Sequence, residues 1–423
     1  MKVGIAIASA ILVASAASAA PQIAHYGVTI NAGASVYPGN VLFTDCSDTN
    51  NPDAWARAYL ESQDGHVVHT WKNGDIRNLM KPVGTDGTIV AFRGGGHPPT
   101  ACSHLTSPVG LSLVGPNNEL TPIYFDADCR LNHDFEVLKD GTYLINCQLL
   151  VTNTSVSTQP FFDNILRKID ANGNVLWSWS TGDHYGQFTS LSDDARAIIM
   201  RGQKLYLPEN PATPRSADVF HTNDVQIIPP NASAALNSAF TPGNILVSQR
   251  NTNLIFVIDQ NSGNVVWQTD NISVGQHHVR MIPTGLPGDG HLLMFDNGGV
   301  GGYPPINRPY SRVLEYDPVA RSIAWQWTSP SPALWGFSAG RRGSAQRLPN
   351  GNTFVDEATW GRFFELDPNG NIVWEFVHLF GAPKVNPEAP DRTIYRAYKV
   401  EACWPGCPAQ AGVPSGSLTT FTW

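Results

Sequence analysis

The chain has 423 residues and a formal net charge of −8, with 15% charged against 42% hydrophobic residues. No linker, low-complexity tract or coiled-coil pattern interrupts it, so the composition fits one large globular domain. No basic stripe interleaves with aromatics, which argues against a nucleic-acid partner; an anionic small molecule would need a local concentration of positive donors.

Residues 1–19 have the features of a secretory signal peptide. Lys2 is the charged start, Val3 to Ala17 the apolar stretch, and Ala17-Ser-Ala19 a small-residue cleavage site. The stretch is too short and alanine-rich for a membrane anchor, and no second apolar segment follows. The expectation is an exported protein, secreted or periplasmic. Six cysteines, Cys46, Cys102, Cys129, Cys147, Cys403 and Cys407, make an even count suited to an oxidising compartment, with their pairing left open by the sequence. Asn153, Asn231 and Asn271 head glycosylation sequons that matter only in a eukaryotic host. Residues 20–51 read as a short N-terminal β extension and residues 52–423 as the main domain.

A hairpin recurs through that domain. Its copies are Asp64-Gly-His-Val-Val-His-Thr-Trp71, Asp170-Ala-Asn-Gly-Asn-Val-Leu-Trp177, Asn261-Ser-Gly-Asn-Val-Val-Trp267 and Asp367-Pro-Asn-Gly-Asn-Ile-Val-Trp374, with a looser copy ending at Trp325. Asn-Gly and Asp-Gly between apolar runs are strong turn signals, because the turn needs residues that tolerate positive φ. Such units repeated without helical periodicity predict an all-β fold, a β-propeller of roughly six four-stranded blades with about 45 to 65 residues each.

Three histidines open similar stretches: His133-Asp-Phe-Glu-Val-Leu, His221-Thr-Asn-Asp-Val-Gln-Ile-Ile and His277-His-Val-Arg-Met-Ile. Aligned on Leu138, Ile228 and Ile282, His133 and His277 share one register. His221 sits two residues further out on the same face, because strand side chains alternate. By that alternation His277 shares a face with Val279 and Met281, and His278 points away. One histidine alone would be structural by default; three in register converge on one axis. His104, His184 and His291 lack such support and read as structural. Gln148, Arg250 and Asn297 share one offset after the turn glycines Gly141, Gly243 and Gly290, and so share one level, with Gln148 and Asn297 as candidate substrate-binding residues. Arginine offers a planar fork of donors suited to sulfate, phosphate or carboxylate, and imidazoles beside it can act as nucleophile or as acid and base.

His221-Thr-Asn-Asp-Val with Asn244-Ile-Leu-Val-Ser-Gln-Arg250, Gly275-Gln-His277 with Leu293-Met-Phe-Asp-Asn-Gly298, and Gln346-Arg-Leu-Pro-Asn-Gly-Asn-Thr resemble the arylsulfotransferase family. The resemblance runs from about Gly27 to Lys399, with its specific part from His221 to Asn297. It implies an exported six-bladed propeller that moves a sulfuryl group between phenols without a nucleotide donor, cofactor or metal. It also implies His277 as the nucleophile that becomes a sulfohistidine. His221 and Arg250 would hold the sulfuryl oxygens, and His133 would act as acid or base at the phenolic oxygen. The implied partners are a phenolic sulfate donor and a phenol acceptor, with no nucleic acid and no membrane. Aromatic walls are expected around them, with Phe295, Tyr303, Trp335 and Trp360 available. Three other readings stand beside this one. A quinoprotein dehydrogenase would need more regular docking motifs and an acidic calcium cluster. A three-histidine zinc site would have to tolerate Arg250 nearby. A secreted propeller could also use the same mouth only to bind a ligand.

Overall fold

The computed structural model describes residues 27–45, 58–72, 76–93, 110–202, 217–269, 271–299, 308–329, 336–378 and 393–407. The expected signal peptide lies outside them, as do Cys46, Cys102, His104, Tyr303 and Trp335. The strands, numbered in chain order, are β1 (Gly27–Asn31), β2 to β4 (residues 39–71), β5 to β8 (76–124), β9 to β12 (130–180), β13 to β16 (222–268), β17 to β20 (277–327), β21 to β24 (344–377) and β25 (Ile394–Glu401).

They form six antiparallel sheets: β25-β2-β3-β4, β5 to β8, β9 to β12, β13 to β16, β17 to β20, and β21 to β24 with β1 added outside. The strands β5, β9, β13, β17, β21 and β25 touch in turn around a common axis, so the sheets are the blades of a six-bladed propeller. The last strand completes the first blade, with Gly39 of β2 opposite Glu401 of β25. The segment read as an N-terminal extension therefore has two fates. β1 extends blade six as a fifth strand, with Gly27 opposite Val377, whereas β2 is an internal strand of blade one.

Blades are stapled at the rim by tryptophans. The indole N–H groups of Trp71, Trp179, Trp267, Trp327 and Trp374 donate to the carbonyls of Gly87, Gly263, Pro318, Gly370 and Gln63, each on the next blade, at 2.8–3.2 Å. In two blades the residue that docks is not the one the hairpin repeat singled out. Trp179 and Trp327 are buried, while Trp177 and Trp325 two positions earlier are half-buried. Both share a face with the docking residue, and the later one lies further along the strand, over the neighbouring turn. Each indole supplies a large apolar area plus a satisfied donor, which is why tryptophan suits this joint.

The four apolar clusters lie between and within blades. Cys129 and Cys147 form a disulfide that ties the entry of β9 to β10, and Cys403 and Cys407 form another just beyond β25. One α-helix, Asp193–Met200, is capped by Ser192. Among the described residues no helix is long and apolar enough to cross a membrane.

Candidate active site

The inner strands of blades three, four and five are each interrupted by a bulge at the level of a histidine. Asn132, His133 and Asp134 together oppose Asn146. Asn223 is inserted between the pairs made by Thr222 and Asp224, and His278 and Val279 oppose Met294. Bulges of this kind re-aim side chains, and they cluster at rims and sites. The backbone shows it, since His133, His221 and His278 have φ of 62°, 60° and 50°, in the left-handed region that non-glycine residues seldom adopt. Buried amides hold the interrupted segments. Asn146 donates to the carbonyls of Asn132 and Thr222, and Asn223 to that of Gln276, each contact linking neighbouring blades or spanning a bulge.

The bulge in β17 overturns one expectation. His277 pairs with Phe295, and Met281 pairs with Leu292. Directly opposed residues share a sheet face, and Phe295 and Leu292 lie on opposite faces of β18. His277 therefore faces away from Met281 rather than with it. His278 still diverges from the mouth: its Nδ1 bonds the carbonyl of Ala345 at 2.9 Å.

His133 and His221 lie side by side, with ring centroids 4.3 Å apart. His133 Nδ1 is 3.1 Å from the hydroxyl of Tyr395 on the closing strand. His221 Nδ1 is bonded to a carboxylate oxygen of Asp218, and Gln148 donates to the other oxygen at 2.8 Å. The Arg250 amide donates to the His221 carbonyl at 3.0 Å. His277 is buried, its Nδ1 2.7 Å from Asn297 Oδ1 and 3.0 Å from the Gly275 carbonyl. The Asn297 amide nitrogen donates to the carbonyls of Ala339 and Arg342, both at 2.7 Å, which fixes its oxygen toward the imidazole. His277 therefore carries its proton on Nδ1, and Nε2 holds the lone pair. That lone pair accepts the Arg342 amide at 3.2 Å.

Burial is the largest cause holding both His133 and His277 well below the ordinary imidazole value; Arg250 and His221 lower them further, and Asn297 partly opposes this at His277. Both rings are neutral near pH 7. Gln148, Arg250 and Asn297 each meet a histidine directly or through one residue.

Asp218, Tyr395 and Arg342 complete the cluster and were not singled out from the sequence. Asp218 precedes His221 by three positions, and the other two come from distant blades. Two aromatic candidates also fall elsewhere. Phe295 is fully buried between blades, 5.3 Å from Phe337, and the Trp360 indole donates to Ser338 at 2.8 Å. His184 and His291 bond the Ser180 carbonyl and Glu315, within their own blades.

Further along the same strands the axis is filled by charge. Arg280 meets Asp134, Glu136 and Asp224; Arg396 meets Asp134 and Asp224 at 2.9 Å each; Lys81 meets Glu136 at 2.9 Å. Five of the six inner strands contribute.

The sequence model of the family described as Arylsulfotransferase (ASST) matches residues 116–379, well over half of the chain. The chain belongs to the arylsulfotransferase family. A comparison with curated proteins returns no match. Similar solved structures include a protein of unknown function from Bacteroides caccae, 12% identical, covering 86% of this chain and 99% of that one with a TM-score of 0.49. Others are a nidogen/laminin complex (7%, 86% and 98%, TM-score 0.45) and virginiamycin B lyase from Staphylococcus aureus (7%, 81% and 87%, TM-score 0.39). Within the arylsulfotransferase match lie His133, His221, Arg250, His277, Asn297 and Arg342, whereas Tyr395 and Arg396 lie beyond it.

Proposed function

We propose that the protein is an exported aryl-sulfate:phenol sulfotransferase working by a ping-pong reaction through a sulfohistidine at His277. The observation that carries this reading is the fixed, neutral His277, whose Nδ1–H is held by Asn297 so that Nε2 presents a lone pair. A nucleophile must be unprotonated, and here burial and Arg250 supply that condition.

In the first half-reaction, Arg250 and His221 hold the sulfate oxygens of a phenolic ester. The Nε2 lone pair forms the N–S bond as the bond from sulfur to the phenolic oxygen breaks, and its electron pair leaves with the phenolate. Fixed donors stabilise the charge spread over the sulfuryl oxygens. The Asn297 carbonyl stabilises the positive ring of the intermediate through Nδ1–H. Binding of the anion lets His133 take up a proton from solvent, and that proton goes to the departing oxygen. In the second half-reaction the now neutral His133 takes the proton of an acceptor phenol, whose oxygen attacks sulfur and returns the electron pair to Nε2. Tyr395 and Asp218 act as positioning residues for His133 and His221. Two disulfides and the signal-like start of the chain support export.

The test is release of 4-nitrophenol from 4-nitrophenyl sulfate by the purified protein, with and without phenol. Phenol-dependent release that is lost in His277→Ala and retained in His278→Ala is expected. No release by the wild-type protein would sink the assignment and leave a propeller that only binds a ligand.

A further inference from the structure

The contact between the Arg342 amide and His277 Nε2 occupies the position where the reading above needs a sulfur atom. Arg342 sits on a short turn between Gly340 and Gly343, with φ of 67° at Arg342 and 96° at Gly343. The turn is held from both sides. The Arg342 carbonyl accepts from Asn297, the residue that orients His277. A side chain at Gly343 would meet the Asp356 carbonyl at 2.9 Å and the Phe295 ring at 3.1 Å, so the backbone there passes through a gap that only glycine fits. The amide N–H is thus aimed at Nε2 by the same group that sets the imidazole tautomer.

We infer that Arg342 is a further sulfuryl-binding residue, its backbone N–H capping the resting nucleophile and then, with its guanidinium, holding the oxygens of the sulfuryl group carried on His277. The inference rests on the sulfohistidine reading. When Nε2 forms its bond to sulfur, the lone pair that accepted the amide is consumed. The amide loses its acceptor at the moment three sulfuryl oxygens arrive within its reach. A preorganised backbone donor that gains a partner only as charge moves onto those oxygens stabilises the transferred state over the resting one. The guanidinium brings a second positive charge to the same cluster. Its charge is felt at His133 and at Tyr395, the pair across the mouth. Arg250 arrives from blade four and Arg342 from blade six, so the anion would be gripped from two blades. Arginine at a left-handed position, where glycine would be unstrained, is a local cost that such a role offsets.

The experiment compares Arg342→Gly, Arg342→Lys and wild type with 4-nitrophenyl sulfate and phenol. Glycine keeps the amide and accepts the backbone angle, so the fold survives, and its melting temperature is expected at or above that of wild type. Transfer by Arg342→Gly should fall about 10²-fold, with partial recovery in Arg342→Lys. Inorganic sulfate should compete with the ester in wild type and about tenfold less well in Arg342→Gly, a loss that a merely structural residue would not cause. Rates and sulfate inhibition within twofold of wild type in Arg342→Gly would overturn the inference while leaving sulfuryl transfer intact. An inactive wild-type protein would instead overturn the reading beneath it.

Discussion

The two levels of the propeller axis handle charge in opposite ways, although the same strands build both. At the level of the histidines, His133 and His277 are buried beside cations and kept neutral. A short distance along, Lys81, Arg280 and Arg396 interlock with Asp134, Glu136 and Asp224. There Arg396 is held well above its ordinary value, and Asp134 well below its own, as burial is outweighed by the partners. Burial suppresses ionisation where no counter-charge is supplied; with partners in contact Arg396 and Asp134 stay charged, whereas burial and the neighbouring Asp134 push Asp224 up. The first arrangement leaves a neutral lone pair in a cationic setting. The second stores rigidity, because shared ion pairs tie five inner strands together.

If that division of labour holds, the largest effect belongs to the mouth. His277→Ala should lower sulfuryl transfer by something on the order of 10⁴-fold and leave the denaturant midpoint close to wild type. A matching loss of stability would mean that the mouth is part of the scaffold. Conversely, Arg396→Met strands buried carboxylates and should cost about 3–5 kcal/mol of stability, read as a lower urea midpoint. Its activity at low temperature should survive better than its fold. His133→Ala sharpens the comparison within the mouth. Transfer from phenyl sulfate should drop about 10²-fold more than transfer from 4-nitrophenyl sulfate, since nitrophenolate departs without a proton; equal losses would remove His133 from the acid–base role.

The smallest effect is on pH. His133, His277 and His278 are neutral in the fold, whereas the unfolded chain takes up their protons below about pH 6.5. The unfolded state then binds more protons, so the stability these groups contribute is full above that value. It falls as pH drops toward the lowered folded values, by up to about 1.4 kcal/mol per pH unit for each histidine. His278→Asn should flatten the slope between about pH 6.5 and 5; an unchanged slope would show that His278 does not titrate in this way.

The blade count and the three mouth histidines were legible because turns and period-two alternation are local properties of the chain. The same alternation failed inside the site. It put His277 with Met281, and the bulge of His278 and Val279 reversed the face. Inserted residues that leave no sequence signature are enough to break a periodic rule. The histidines could still be found because His133, His221 and His277 all sit at or beside a bulge on their own inner strands, so their shared register survived. Trp179 and Trp327 were missed for a related reason, since docking depends on where the neighbouring blade's turn lies. Tyr395, Arg342 and the salt-bridged axis could not be read at all. Their contacts span up to 262 positions, and nothing in the residues around them announces a partner.

The closing strand carries a consequence in time. Residues Ile394 to Glu401 form the last strand among the described residues, yet they complete the first blade. They also deliver Tyr395 to His133 and Arg396 to Asp134. Until that strand is in place, the histidine cluster lacks Tyr395 and the axis lacks Arg396. On the proposed sulfohistidine reading, transfer would await the closing of the ring, because the closing strand supplies the Tyr395 partner of His133.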